Sequence, residues 1–450
     1  MKNVKSMDQR MSILAIGWPI LVEVLLRTVL GTSDVFMLSS YSDKAVSAVG
    51  VITQLTFFLM IVSSMVSSGT AILIAQFNGA GEEKKSTDVG VASLFLALLV
   101  GVFLSFIAVI GAYYFVPLYG LDLQVETYAQ DYLIIAGVMT FNVTLGIVFS
   151  TILRSHGYSR SPMVVNLASG VINVLGNYIA LYQPFGLPVY GVQGVAIATV
   201  ISQLLGTIAL WVVLTRSNIH LPYKNAFKVS KEIYRKILKI GSMNAGEILF
   251  YNIAQIIIVY FVVQMGTASL AAFTYAQNIA RFSFAFSVAL GQAAQIQTGY
   301  FVGKGWIESI HQKVQQYFVA GFIVSLTIAI VIYLLREPFL NLFTDDQEIV
   351  ALTGTLIFAS IFLEGGRVFN LIFISALKGA GDVKFPVQMG ILSMWGIGVF
   401  MAYVLGLNLG YGVVGAWIAV AMDEWFRGLI MAVRWRSKEW VKFRLVDAKA

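Results

Sequence analysis

Apolar residues run along this chain in blocks long enough to cross a bilayer, which takes roughly 20 residues as helix. Twelve such blocks are readable: 12–38, 45–77, 89–116, 128–153, 162–182, 190–215, 234–265, 269–302, 312–335, 348–377, 385–407 and 411–434. Several exceed 25 residues, which predicts tilted, kinked or projecting helices. Turn and charged residues punctuate them. Asn78-Gly79-Ala80-Gly81 precedes Glu82-Glu83-Lys84-Lys85, and Tyr182-Gln183-Pro184-Phe185-Gly186-Leu187-Pro188 follows the fifth block. The N-terminus is polar (Lys2, Lys5, Asp8, Arg10), and the block after it reaches Leu38. That is too long for a signal-peptide core, so it reads as a retained first span. The predicted class is an all-α polytopic membrane protein with twelve transmembrane helices.

The blocks repeat. Ile13-Leu14-Ala15-Ile16-Gly17 is matched by Ile237-Leu238-Lys239-Ile240-Gly241, an offset of 224, and Glu23 by Glu247. Gly79 and Gly81 are matched by Gly303 and Gly305, and Leu153-Arg154, Gly157 and Pro162 by Leu377-Lys378, Gly381 and Pro386. Tyr190-Gly191-Val192-Gln193-Gly194 and Tyr411-Gly412-Val413-Val414-Gly415 are offset by 221, so a loop lost three residues. A period this long marks a duplicated domain, not a solenoid. Six spans per half start and end on the same side, so the halves are parallel repeats about an axis along the membrane normal. The expected domains are 1–226, with helices 1–6, and 227–450, with helices 7–12. The basic linker 216–233 (Arg216, Lys224, Lys228, Lys231) joins them.

Composition agrees with this picture. The chain is 58% apolar and 12% charged, against about 45–50% and about 25% in soluble domains. The net charge is +7, but its distribution argues against nucleic acid as a partner. Lys and Arg fall 24 on one set of loops, 2 on the other (Lys44, Arg336) and 4 within spans. That bias places both termini in the cytoplasm, in a multi-pass protein of the plasma membrane. The absence of cysteine excludes disulfides and thiolate metal sites. All three histidines (His156, His220, His311) fall in predicted cytosolic loops, so no Ser-His dyad or metal cluster is expected at membrane depth. The reading is not an enzyme and carries no metal.

Charges inside spans are costly, roughly 2.5–3.5 kcal/mol each on insertion scales, and mark functional candidates. The acids are Glu23, Asp34, Glu247, Glu364, Asp423 and Glu424, and the bases are Arg27, Arg281, Arg367 and Arg427. Glu23 with Arg27, Glu364 with Arg367, and Asp423 and Glu424 with Arg427 are spaced to pair on one helix face. Arg281 has no acid nearby on its helix and is expected to pair between helices. Asp34 and Glu247 have no base within a turn. An unpaired acid is neutral when dry and charged when water, Na⁺ or a cationic solute arrives, as a coupling site requires. The alternative is a protonated acid bonded to a neighbouring helix. Asn166, Asn173 and Asn177 share one face of the fifth span. Their amides serve interhelical bonding, or complete an oxygen shell around a cation beside Asp34. Tyr251, Tyr275 and Phe282 are weaker candidates for lining a substrate chamber, and Pro19 is a candidate bending point of the first helix.

These features together resemble the MATE family, the multidrug and toxic compound extrusion transporters, over nearly the whole chain. The resemblance rests on Pro19 with Thr32-Ser33-Asp34, on Ala75-Gln76-Phe77-Asn78-Gly79-Ala80-Gly81, and on Leu153-Arg154-Ser155-His156-Gly157 before Pro162. It rests also on Asn173-Val174-Leu175-Gly176-Asn177-Tyr178, on Gly191-Val192-Gln193-Gly194-Val195-Ala196-Ile197-Ala198-Thr199, and on Leu377-Lys378-Gly379-Ala380-Gly381-Asp382 before Pro386. It implies two six-helix lobes forming a V, with a central cavity of alternating access. It implies export of mostly cationic, amphipathic organic compounds against Na⁺ or H⁺, with no cofactor beyond that coupling ion. The family's N-lobe cation site maps to Asp34, Asn173, Asn177 and Thr199. In the C-lobe, Tyr251 stands where members carry an acid on helix seven, one turn from Glu247. Arg367 takes the acid position on helix ten, with Glu364 one turn earlier. Glu247, Glu364 and Arg367 are therefore expected to form a charged cluster.

The expected function is secondary antiport of a small organic solute by a monomer in the lipid bilayer. The rival is a flippase of a lipid-linked or polysaccharide precursor. Such substrates carry phosphates and favour a basic cavity, whereas three of the four intramembrane arginines here have acids nearby.

Overall fold

The computed structural model describes residues 6–182, 184–186, 188–217, 219–340 and 346–446. Gln183 and Leu187 of the predicted turn, Lys2 and Lys5 of the N-terminus, and the side chain of Lys224 in the linker lie outside them. Thirteen principal helices carry the fold, and the described residues contain no strand. They are α1 (Ile13–Ser39), α2 (Asp43–Ala80), α3 (Glu83–Tyr114), α4 (Leu123–Val138), α5 (Thr140–Ser155), α6 (Arg160–Leu181) and α7 (Gly191–Arg216). There follow α8 (Lys231–Gln264), α9 (Thr267–Gly303), α10 (Ile307–Leu334), α11 (Gln347–Gly379), α12 (Lys384–Ser393) and α13 (Gly412–Arg436).

Every predicted block is helical. The block 128–153 is the bent pair α4 and α5, which meet at 49°. The block 385–407 begins as α12 and continues in wider π-helical turns at Met394–Val399 and Ala402–Asn408. By length and apolarity alone, nine helices among the described residues qualify as spans, or ten with the bent pair. The two blocks that miss this test are α9 and α13. Both are long enough, at 37 and 25 residues. α9 carries Arg281 and a run of polar positions, and α13 carries Asp423, Glu424 and Arg427. Their polarity is part of the site chemistry below.

The chain divides into two compact units. The first comprises Met1–Met11, Val22–Ile74 and Glu82–Ala245, and the second Ser12–Leu21, Ala75–Gly81 and Gly246–Ala450. These bounds differ from a division at 226/227. The start of α8 belongs to the first unit because Gly241 sits so close to α2 that a Cβ there would meet the Met65 carbonyl oxygen at 1.9 Å. α1 changes unit between Leu21 and Val22, in the turn after Pro19, while the helix itself runs unbroken through the proline.

Within the first unit, α3 packs on α5 and α6 on α7. Small apolar groups such as Ala48, Ala108, Ala112 and Ala129 allow the close approach that membrane helices need. Within the second unit, α11 is central and packs on α9, α10 and α13. There the ends of α2 and α9 touch backbone to backbone. A Cβ on Gly79 would meet the Tyr300 carbonyl oxygen at 1.9 Å, and one on Gly303 the Gln76 carbonyl oxygen at 2.0 Å. These are repeat partners, so the duplicated glycine is explained by a reciprocal contact that no side chain fits. Gly79→Val and Gly303→Val are each expected to abolish stable folding, read as loss of monodisperse protein in detergent.

After α13 the chain turns back and seats Trp440, which is fully buried. Its ring stacks on Trp435 at 4.3 Å, and Trp435 stacks in turn on His311 at 5.9 Å. His311, expected in a loop, lies in the first turns of α10. Leu445 N–H donates to Gln76 Oε1 at 2.8 Å, and Gln76 Nε2 donates to the Gly379 carbonyl at 2.9 Å. Gly381, at φ +100°, lets the Phe443 carbonyl pass where a Cβ would stand 2.3 Å away. Removing so large a buried ring costs about 3–5 kcal/mol. Trp440→Ala is therefore expected to lower the thermal unfolding midpoint of the detergent-purified protein measurably.

Candidate coupling site and the buried ion pairs

In the first unit α1 brings Asp34 to the face of α6 that carries the asparagines. Asn177 Nδ2 donates to Asp34 Oδ1 at 2.8 Å. One turn earlier Asn173 Nδ2 donates to Thr199 Oγ1 of α7 at 3.1 Å. The Tyr132 side chain of α4 lies beside Thr199. The structure thus brings Asp34 to Asn177 and Asn173 to Thr199 on neighbouring turns of α6, with Tyr132 beside Thr199. That tyrosine carried no signal in the sequence, because a hydroxyl on an apolar helix looks like any other aromatic there.

The informative atom is Asn177 Oδ1. Asn177 is 1% exposed, and this oxygen is buried with no hydrogen-bond partner among the described residues. A buried amide oxygen without a donor costs about 1–3 kcal/mol, and this one stands beside a carboxylate. The Asp34 carboxylate, the amide oxygens of Asn173 and Asn177 and the Thr199 hydroxyl are all hard oxygens, the atom type that small cations prefer.

Asn166, on the same α6 face, goes elsewhere. Its Nδ2 donates to Glu23 Oε1 at 2.8 Å. Glu23 is 7% exposed and also binds Arg154 of α5 and, at 3.3 Å, Arg27. Three donors hold this acid, so it ties α1 to α5 and α6. Its repeat partner Glu247, expected to be unpaired or to join Glu364 and Arg367, does neither. Lys378 Nζ lies 2.5 Å from Glu247 Oε2. Both acids are therefore bridged to a base 131 residues later, and Arg154 and Lys378 are themselves repeat partners. The other two donors are missing in the second copy. Tyr251 stands for Arg27, and Gly390 stands for Asn166, a Cβ there lying 3.5 Å from Glu247 Oε1.

The rest of the expected cluster has a different centre. Arg367 Nη1 pairs with Glu364 Oε1 at 2.5 Å. On α13, Arg427 pairs with Asp423 at 2.7 Å and Glu424 at 2.9 Å. Ser393 donates to Asp423 at 2.6 Å and Asn370 to Glu424 at 2.9 Å. Tyr251 lies within electrostatic reach of Arg367, Glu424, Arg427 and Asp423, so it is a member of this network. Tyr275 is half-buried on α9, and Phe282 is exposed on the same helix.

Residues 19–179 and 245–404, one stretch from each repeat, match the MatE family model. The chain belongs to the MatE family. It is thus a multi-pass membrane protein of a transporter family. The "Uncharacterized transporter YisQ" of Bacillus subtilis (strain 168) is 36% identical over 441 residues, covering 97% of this chain and 96% of that protein. The "Probable multidrug resistance protein NorM" of Thermotoga maritima is 26% identical over 436 residues, covering 96% and 93%. A solved structure described as the outward-facing conformation of a multidrug resistance MATE family transporter superposes with a TM-score of 0.88. The identity there is 20%, with 97% and 98% of the two chains covered. At that identity the likeness speaks for the fold.

Proposed function

We propose that this MatE-family protein is a secondary active exporter of amphipathic organic compounds, coupled to H⁺ or Na⁺ through Asp34. It works as a monomer in the plasma membrane with both termini in the cytoplasm, by alternating access. The observation that carries the coupling reading is the buried Oδ1 of Asn177, which has no partner among the described residues and stands beside the Asp34 carboxylate. Na⁺ arriving there binds Asp34 and takes Asn177 Oδ1 as a further ligand. A proton on Asp34 converts it from acceptor to donor, and a turned Asn177 amide then accepts from it through Oδ1. Either event remakes the contact between α1 and α6. Because α1 changes unit just after Pro19, a change in how α1 is held is a natural lever for alternating access.

The relatives named multidrug resistance proteins support export of organic solutes. A second reading, flipping of a lipid-linked or polysaccharide precursor, is favoured by one observation, the exposed side chains of Arg27 and Arg281. The test is purified protein in liposomes with imposed pH or Na⁺ gradients. Saturable solute movement that needs a gradient is expected, and gradient-independent conductance would contradict the reading.

A further inference from the structure

The stretch that joins the two repeats, from Arg216 to Lys239, carries seven Lys and Arg against one acid, Glu232. It lies wholly within the first compact unit. Glu232 pairs with Lys236 at 2.7 Å. Lys228, Lys231, Arg235 and Lys239 are exposed and have no ion-pair partner among the described residues. Lys231, Arg235 and Lys239 recur at a spacing of four on α8, so they form one row along the helix. Ile237, Ile240 and Gly241 are buried on its opposite side.

This row stands beyond the hydrocarbon. α8 has 34 residues, about 51 Å at about 1.5 Å per residue, against a core of about 30 Å. From Ile240 to its end the helix carries one charged side chain, the buried Glu247. The surplus turns are therefore the basic ones at its start, at the height of lipid headgroups. The chain before them is fastened in place. Ile219, Leu221, Ala226 and Val229 are buried. Tyr234 Oη donates to the Ala226 carbonyl at 2.7 Å. Leu221 packs so closely on α3 that a Cβ on Gly90 would stand 2.8 Å from its Cδ2. One large apolar side chain is left outside. Phe227 is 87% exposed, and its ring meets Phe95 of α3 edge-on at 5.1 Å. Phe95 belongs to the apolar block 89–116, and Leu98 and Leu99 one turn on are exposed. Phe227 thus stands against the part of α3 that lipid covers.

We propose that the linker and the first turns of α8 form a docking surface for anionic phospholipid. Lys228, Lys231, Arg235 and Lys239 receive the headgroup phosphates, and Phe227 enters the boundary between headgroups and acyl chains. A cationic face beside an outward aromatic is the pattern of an interfacial element. Each base near an anionic leaflet strengthens the attraction about fivefold. A soluble polyanion would satisfy the bases but give Phe227 no apolar surroundings. The inference is independent of which solute is carried.

The test places full-length protein in nanodiscs of phosphatidylcholine alone or mixed with phosphatidylglycerol. The chain has no cysteine, so Phe227→Cys gives a single thiol for the environment-sensitive fluorophore NBD. Its emission is expected to brighten and shift to shorter wavelength when phosphatidylglycerol is present. The shift is expected to be lost when Lys228→Gln, Lys231→Gln, Arg235→Gln and Lys239→Gln are combined, and kept with Lys228→Arg, Lys231→Arg and Lys239→Arg. It is also expected to fall away between about 0.01 M and about 1 M salt, as screening shortens from about 30 Å to about 3 Å. That arm reads the same charges without altering them. Equal emission in the two lipid mixtures, or a phosphatidylglycerol shift that survives either the glutamine changes or high salt, overturns the inference. So does the same shift produced in phosphatidylcholine discs by inorganic phosphate or a DNA oligonucleotide, which would make the partner a soluble anion.

Discussion

Asp34→Asn is expected to abolish gradient-driven export, by about a hundredfold or more, while leaving the protein as stable as the wild type. The side chain is isosteric, so packing against α6 is kept. The neutral amide does not bind Na⁺ as a counter-charge and does not take up a proton. Coupling free energies between two ligand sites are about 1–3 kcal/mol, so loss of the only carboxylate among Asp34, Asn173, Asn177, Thr199 and Tyr132 removes the whole term. Binding of the organic substrate at equilibrium is expected to survive, because the change is confined to one carboxylate. Transport and binding separate in this variant. A merely structural role for Asp34 would instead lower both, together with the unfolding midpoint.

The second large effect is on stability. Arg427→Met is expected to destabilise the second unit severely, by about 3–5 kcal/mol for a broken buried pair. Arg427 is 5% exposed and is paired with both Asp423 and Glu424. Without it two buried carboxylates on one turn of α13 lose their counter-charge. The combined variant Asp423→Asn, Glu424→Gln, Arg427→Met removes the charge conflict and is expected to recover most of the loss. Thermal unfolding of the two variants in detergent reads the difference. If the triple variant were as unstable as Arg427→Met alone, the charge explanation would be wrong and shape at position 427 would be the cause.

Much of this was legible in the residues. Apolar runs located the helical stretches, because the bilayer forces long helices and nothing else satisfies the backbone there. Pairs spaced three or four apart, such as Glu364 with Arg367, were legible because both partners sit on one helix. Glu247 was misjudged because its partner Lys378 is on another helix, and local spacing carries no such information. The duplication did hold a clue. Glu23 and Glu247 are repeat partners, and so are Arg154 and Lys378, so an acid and a base recur together at the same offset. The division of the chain was hidden as well, since it depends on glycine contacts between α2 and α8. The exposure of Arg27 was also out of reach, because its neighbour Glu23 looked sufficient to neutralise it until Arg154 and Asn166 were seen to share that acid.

The central claim is that a cation bound at Asp34 is exchanged for the organic solute. Its most direct test follows both species in one vesicle population: solute movement by fluorescence, and counter-movement of H⁺ by a lumenal pH dye or of radioactive Na⁺ by filtration. The account predicts that one of the two cations moves opposite to the solute in fixed proportion, and that both fluxes vanish together in Asp34→Asn. Solute movement with no cation counter-flux, or a counter-flux unchanged in Asp34→Asn, would contradict it.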